Sequence, residues 1–316
     1  MIKSLISLAV LGTLVTPAVY AAEAAKAETK EESNWSLTTN MGFVTDYRAR
    51  GVSQTWRKEA VQGGLDLTHS SGFYAGAFGS NVTPNTYPSA NVELDLYAGY
   101  NGEIKAVEGL GYTVGAIGYF YPNGSWNKYT LGGVNEEGVR QTPQGGRWDT
   151  YEANAGISYK WLSAKASVTL GDWYGAERKT GWTKSTRGTT YLELNAAIPT
   201  PLDGLTLIGH VGRLDVNGEL DLNFSPDGGT NLASTSFTMA TKPDYTDYKV
   251  GLSYAFKVLN ADGWNAGLYY VGHDNDSYWG ARGYGGTSFN GAGSGTVPDS
   301  RNLNKDAAVF TLGRTF

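Results

Sequence analysis

The residues in this chain that could carry chemistry stand mostly in short charged runs. The densest run is His273-Asp274-Asn275-Asp276-Ser277. A histidine followed by oxygen donors at alternate positions suits an acid–base pair or a hard cation, and an Asp- and Asn-rich external loop would have the same composition. The other two histidines are His69, at a turn, and His210, on a polar strand face with Thr206. A second run, Asp46-Tyr47-Arg48-Ala49-Arg50, sets a charge at every second position. In extended chain Asp46, Arg48 and Arg50 would share one side. There they could set a field that sorts ions, or brace a loop as a charge network. No GxxxxGK[ST] loop, HExxH helix or phospholipase-type His-Ser-Asn arrangement occurs, so no catalytic residue, metal site or cofactor is assigned.

The elements that must position these charges have a period of two. In 151–161, Tyr151, Ala153, Ala155, Ile157, Tyr159 and Trp161 oppose Glu152, Asn154, Gly156, Ser158 and Lys160. Successive side chains of a strand point to opposite faces, so one wall is apolar and the other polar. Ala164, Ala166, Val168 and Leu170 oppose Lys165, Ser167 and Thr169 in the next run. Val92, Leu94, Leu96, Ala98 and Tyr100 likewise oppose Glu93, Asp95 and Tyr97, and Tyr248, Val250, Leu252, Tyr254 and Phe256 oppose Lys249, Gly251 and Ser253. Trp35, Leu37, Met41, Phe43 and Tyr47 oppose Ser36, Thr38, Asn40 and Asp46. The runs 73–82 and 112–121 are apolar on both faces, and their facing stays open.

This rhythm predicts twelve strands, near 35–47, 60–69, 72–82, 91–101, 111–121, 149–161, 163–172, 188–198, 204–214, 246–257, 263–273 and 306–316. Short and long connections alternate between them, as in outer-membrane barrels with short periplasmic turns and long external loops. The predicted fold is an all-β, antiparallel, up-and-down transmembrane barrel over 34–316. A dozen strands tilted near 40° enclose roughly 24 Å of backbone diameter, too wide for apolar side chains from the wall to fill. The apolar faces are therefore placed against lipid and the polar faces toward the lumen. Asp66, Glu93, Asp95, Glu152, Lys160, Lys165, Glu193, His210 and Lys249 become lumen-lining candidates, with Asp46, Arg48 and Arg50 at the external end. Tyr100, Tyr159, Trp161, Tyr254, Phe256 and Trp264 fall near strand ends as girdle residues.

The remaining sequence fits export. Lys3, an apolar stretch over Leu5–Val15 and Val19-Tyr20-Ala21 read as a signal peptide over 1–21. Residues 22–33, AEAAKAETKEES, read as a flexible periplasmic lead-in. The chain has no cysteine, so no disulfide closes it, and 25 basic against 30 acidic residues argue against a nucleic-acid partner. Phe316 ends the last strand with Leu312, Phe310 and Ala308 on its face. That ending resembles the signal read by the outer-membrane barrel assembly machinery, although Arg314 stands where an aromatic is usual.

Asp46-Tyr47-Arg48-Ala49-Arg50-Gly51-Val52-Ser53-Gln54, then Gln62-Gly63-Gly64-Leu65-Asp66, then Ser71-Gly72-Phe73-Tyr74-Ala75-Gly76 resemble the opening of the TorF-type porins, proteobacterial outer-membrane proteins. That pattern runs close to DYRFRGxSQ, QGGxD and SGFYxG, and Ala49 departs from its Phe. The motif covers roughly 40–82. The resemblance implies an outer-membrane channel and names no substrate. The expected function is passive diffusion of small hydrophilic solutes or ions, with outer-membrane lipids as surroundings and a weak preference for cations. A non-conducting barrel for adhesion or envelope structure, and an outer-membrane hydrolase, are the rival readings. Monomer and homo-oligomer both stay open.

Overall fold

A computed structural model describes residues 33–84, 86–87, 89–125, 146–221, 241–279, 303 and 305–316. The signal peptide and nearly all of the lead-in lie outside the described residues.

Twelve strands close a single antiparallel barrel: β1 (Trp35–Val44), β4 (Ala60–His69), β5 (Phe73–Asn81), β6 (Val92–Glu103), β7 (Leu110–Phe120), β8 (Thr150–Tyr159), β9 (Leu162–Thr169), β10 (Thr190–Pro199), β11 (Leu205–Asp215), β12 (Tyr245–Val258), β13 (Ala261–His273) and β14 (Ala307–Thr315). Each pairs with its sequence neighbour on the wall, and β1 pairs with β14 from Asn40↔Thr315 to Val44↔Thr311, which removes the free edges. Two further strands of two residues each, β2 (Arg48–Ala49) and β3 (Val52–Ser53), stand apart as a small hairpin.

The turns at one end are tight because their residues accept left-handed backbone. Leu259-Asn260 joins β12 to β13 with φ of 49° and 63°, and Lys160 opens the turn into β9 at φ 53°. Two central residues with positive φ match the twist of the flanking strands. The strand ends joined by the long connections stand at the opposite end of the barrel, the external one by the outer-membrane pattern of short periplasmic turns.

The wall faces as the alternation predicts. Leu37, Val61, Leu96, Ile157, Leu192, Val250 and Leu268 are exposed on the outside of the barrel. Aromatics gather near strand ends, including Phe73 packed edge-on to Tyr100 and the stacked series Tyr254, Phe256 and Trp264. Arg314 reaches over the rings of Trp264 and Phe316, at 5.5 and 4.6 Å. A cation over aromatic faces is stabilised by their quadrupoles, which accommodates Arg314 on the apolar face of the last strand. No described helix is long and apolar enough to cross a membrane; the crossing is made by strands.

The first strand departs from expectation. It ends at Val44, not at 47, and Tyr47 is wholly buried instead of lying on the lipid face with Phe43. The chain turns inward there because Asp46 finds partners inside the barrel. Its carboxylate accepts from Arg48 Nε at 2.7 Å and from Ser53 Oγ at 2.6 Å.

Candidate functional site: the lumen and its inserted hairpin

The site is built from two sources, the inward faces of the strands and the loop between β1 and β4. Residues 46–56 of that loop turn into the external end of the lumen and carry the β2–β3 hairpin. Its turn is Arg50-Gly51, with φ of 47° and 82°, and only glycine fits the second position. A Cβ on Gly51 would stand 2.8 Å from Asp247 Cβ and 2.9 Å from Gly272 O on the barrel wall. The hairpin stem is held by Arg48, whose Nη1 donates to Gly51 O at 3.0 Å and Nη2 to Lys305 O at 2.8 Å.

At the tip, Arg50 crosses to the wall. Its Nη1 and Nη2 donate to Glu152 Oε1 and Oε2 at 2.8 and 2.6 Å, and its guanidinium lies 4.1 Å from the Tyr191 ring centroid. Fork-to-fork pairing of this kind fixes direction as well as charge. Burial works against the Arg50 charge, but Glu152 beside it more than compensates and keeps the guanidinium above its ordinary range.

Aromatic side chains from the other external connections pack around the hairpin. Tyr87 stacks on Tyr121 at 4.1 Å, and Trp173 meets Trp182 and Trp279 edge-on, each at 6.1 Å. Tyr47, Trp56, Trp148 and Tyr278 are also buried in this layer. A cavity of ≈ 40 Å³ remains among them, lined in part by Arg50, Gln54, Tyr87, Trp173 and Trp279. Among the described residues, loop side chains therefore pack against one another and the hairpin at the external end of the lumen. On the periplasmic side the inward residues Thr38, Asp66, Asn101, Asn195 and Asn265 keep partial exposure.

A chain of polar contacts runs down the β9–β12 side of the lumen. Lys165 Nζ lies 2.7 Å from Glu193 Oε1. His210 Nδ1 lies 2.6 Å from Asn195 Oδ1, and its Nε2 lies 2.8 Å from Asp247 Oδ1. Tyr191 Oη donates to Asp247 Oδ2 at 2.9 Å. Lys249 sits over the Tyr269 ring at 5.4 Å. The β4–β8 side carries carboxylates: Asp66, which accepts from Tyr97 Oη at 2.6 Å, then Glu93, Asp95 and Glu152.

The structure therefore brings Arg50, Asp66, Glu93, Asp95, Glu152, Lys165, Glu193, His210 and Lys249 into one lumen. Asp46 and Arg48, expected to project to the lumen from the external end of the first strand, form the buried stem of the inserted hairpin. Lys160 does not reach the lumen. It is exposed on the β8–β9 turn, its Nζ 5.1 Å from the Tyr159 ring, because the turn has already left the wall. His69 lies at the exposed β4–β5 turn against Trp35 and Ser71. His273 is buried, stacked on Tyr245 at 4.4 Å, while Asp274 accepts from Thr246 N and Asn275 bridges to Lys242 O and Asp244 O. That run ties loop backbone down and forms no described metal cluster. Sequence reading missed Asp247 and Tyr191; both share inward parity with residues already assigned, Lys249 and Glu193, and that parity was the available signal.

A closed antiparallel barrel with an apolar outer belt, aromatic strand ends and a charged interior is an integral barrel of the bacterial outer membrane. Within that class, the chain belongs to the Gcw_chp family, described as bacterial protein of unknown function, whose model matches residues 28–316. No curated protein matches it in sequence. Among solved structures it is similar to a KdgM porin, at 8% identity over 88% of this chain and 98% of that one, TM-score 0.41. It is also similar to a NanC porin, at 12% identity over 89% and 99%, TM-score 0.41, and to LpxR from Salmonella typhimurium, at 11% identity over 88% and 99%, TM-score 0.33.

Proposed function

We propose that this protein is an outer-membrane channel for small hydrophilic solutes or ions, in which the inserted hairpin sets the narrowest point. The observation that carries this reading is the Arg50–Glu152 pair, a buried ionic latch between a loop and the opposite wall of a charged lumen. A barrel needed only as a membrane anchor would gain nothing from such a pair, because burying two charges costs several kcal/mol of desolvation per ion before the pair repays it. Placed at a constriction, the pair positions a loop whose displacement widens the path.

The lumen charges favour cations. Asp66, which keeps partial exposure to the lumen, makes no ion pair among the described residues, whereas Lys165 is matched by Glu193 and Arg50 by Glu152. The TorF-type resemblance of residues 46–76 supports the same channel reading. The hydrolase reading has weaker support. The ring nitrogens of His210 face Asn195, Asp247 and Tyr191, and the His69–Ser71 contact sits at an exposed turn. Insertion through the assembly machinery by the Phe316 strand belongs to the same proposal, as does free choice between monomer and homo-oligomer.

Planar-bilayer recording of the refolded protein tests the reading. Discrete current steps with cation-favouring reversal potentials support it; a silent membrane with a folded barrel overturns it.

A further inference from the structure

Glu93 and Asp95 are two residues apart on β6 and point the same way, into the layer that the hairpin closes. Both are buried, at 1% and 0% exposure. Register places Ser80 and Phe78 of β5 beside them on one side and Tyr119 of β7 on the other. From the lumen, Tyr47 closes over them: it is wholly buried, its ring 6.1 Å from Phe78, and its phenol faces Glu93 together with that of Tyr121. Glu93 Oε2, both carboxylate oxygens of Asp95 and Tyr47 Oη make no hydrogen bond of ordinary length and angle, although the Tyr47 and Tyr121 phenols and the Asp95 carboxyl lie close enough to Glu93 to interact with it. Neither carboxylate has an ion pair among the described residues, and the nearby guanidiniums are spoken for, Arg48 by Asp46 and Arg50 by Glu152.

Such a cluster is unusual on energetic grounds. An ionised carboxylate moved out of water without a partner costs several kcal/mol at least, and here two are side by side. The hydroxyl that reaches them comes from the inserted loop, not from the strand that bears them. Carboxylate and phenol oxygens from two separate elements come together in this buried cluster, and none of the four named makes a hydrogen bond of ordinary length and angle. Oxygen-only donors, two formal negative charges and room for adaptable ligand number are what calcium-sized divalent cations take, with water completing a shell of six to eight.

We propose that Glu93, Asp95 and Tyr47 form a binding site for a calcium-class divalent cation, which fastens the inserted hairpin to the β6 wall. Two carboxylates neutralise the ion, and Tyr47 makes occupancy depend on the hairpin being in place. The proposal does not require that the barrel conduct.

Terbium replaces calcium in oxygen-ligand sites and luminesces when a nearby tyrosine or tryptophan is excited; Tyr47 and Tyr121 supply that antenna. The full refolded chain in detergent, titrated with terbium, is expected to give sensitised emission that calcium displaces. E93Q/D95N removes two buried charges and keeps the side-chain volumes, so its barrel is expected to fold, and its emission is expected to be lost. Y47F retains both carboxylates and is expected to bind calcium more weakly than the wild type, which covers the case in which the double variant does not fold. Absence of emission from the wild type, emission that calcium fails to displace, undiminished emission from folded E93Q/D95N, or Y47F binding calcium as tightly as the wild type overturns the site.

Discussion

Arg50 and Glu152 lie 102 positions apart in the chain and meet inside the barrel through two hydrogen bonds of 2.8 and 2.6 Å. The first residue rides on a loop hairpin and the second on the wall, so this contact ties the tip of the hairpin across the lumen.

Cutting one side of that pair should be worse than cutting both. Arg50→Ala leaves a buried Glu152 carboxylate unmatched, a loss on the order of 3–5 kcal/mol for a broken buried pair. R50A/E152Q removes both charges and should recover a large part of that loss. Thermal unfolding of the refolded single and double variants checks this, and equal destabilisation would show that the two groups are not coupled.

Gly51 holds the hairpin turn where a Cβ would collide with Asp247 and Gly272. Gly51→Ala also places an L-residue at φ 82°, a strain of roughly 1–2 kcal/mol. The barrel wall does not depend on this turn. The expected result is a barrel that still forms while loop 45–59 becomes open to protease. Unchanged cleavage would mean that the hairpin tolerates the extra carbon.

Ion selectivity should follow the unmatched charges. Removing Asp66, with Asp66→Asn, is expected to reduce cation preference without moving the hairpin, since its partner is the Tyr97 hydroxyl on the neighbouring wall. Reversal potentials in a salt gradient measure it, and a shift toward stronger cation preference would contradict the charge inventory.

Assembly should be separable from folding. Deleting Phe316 is expected to lower barrel yield in the outer membrane of cells while leaving detergent refolding intact, because its ring contacts Arg314 at the exposed end of the last strand. Equal loss in both settings would assign Phe316 a purely structural role.

The wall was legible in the sequence because lipid outside and water or polar partners inside impose a strict period of two. The same logic explains where it was silent. The facing of 73–82 and 112–121 could not be read because Phe78, Ile117 and Tyr119 are apolar residues turned inward. They are apolar because the inserted loops bring their own aromatics against the wall. The hairpin's alternating charges read as the end of the first strand, since its own two strands span only two residues each. Composition held a clue: Trp56, Tyr87, Trp148, Trp173, Trp182 and Trp279 are too many large aromatics for solvated loops, and all six are buried. Spacing put Asp46, Arg48 and Arg50 on one side of an extended chain, whereas Arg48 pairs with Asp46 in the stem and Arg50 crosses to Glu152. Their destination depended on a reversal at Arg50-Gly51 that an extended reading does not contain.

The central claim is that a latched hairpin sets the conductance of this barrel, and single-channel recording of wild type beside R50A/E152Q tests it most directly. Discrete steps in the wild type and larger steps in the folded variant are the predicted result. Silence from both proteins, with the barrel shown to be folded, would contradict it.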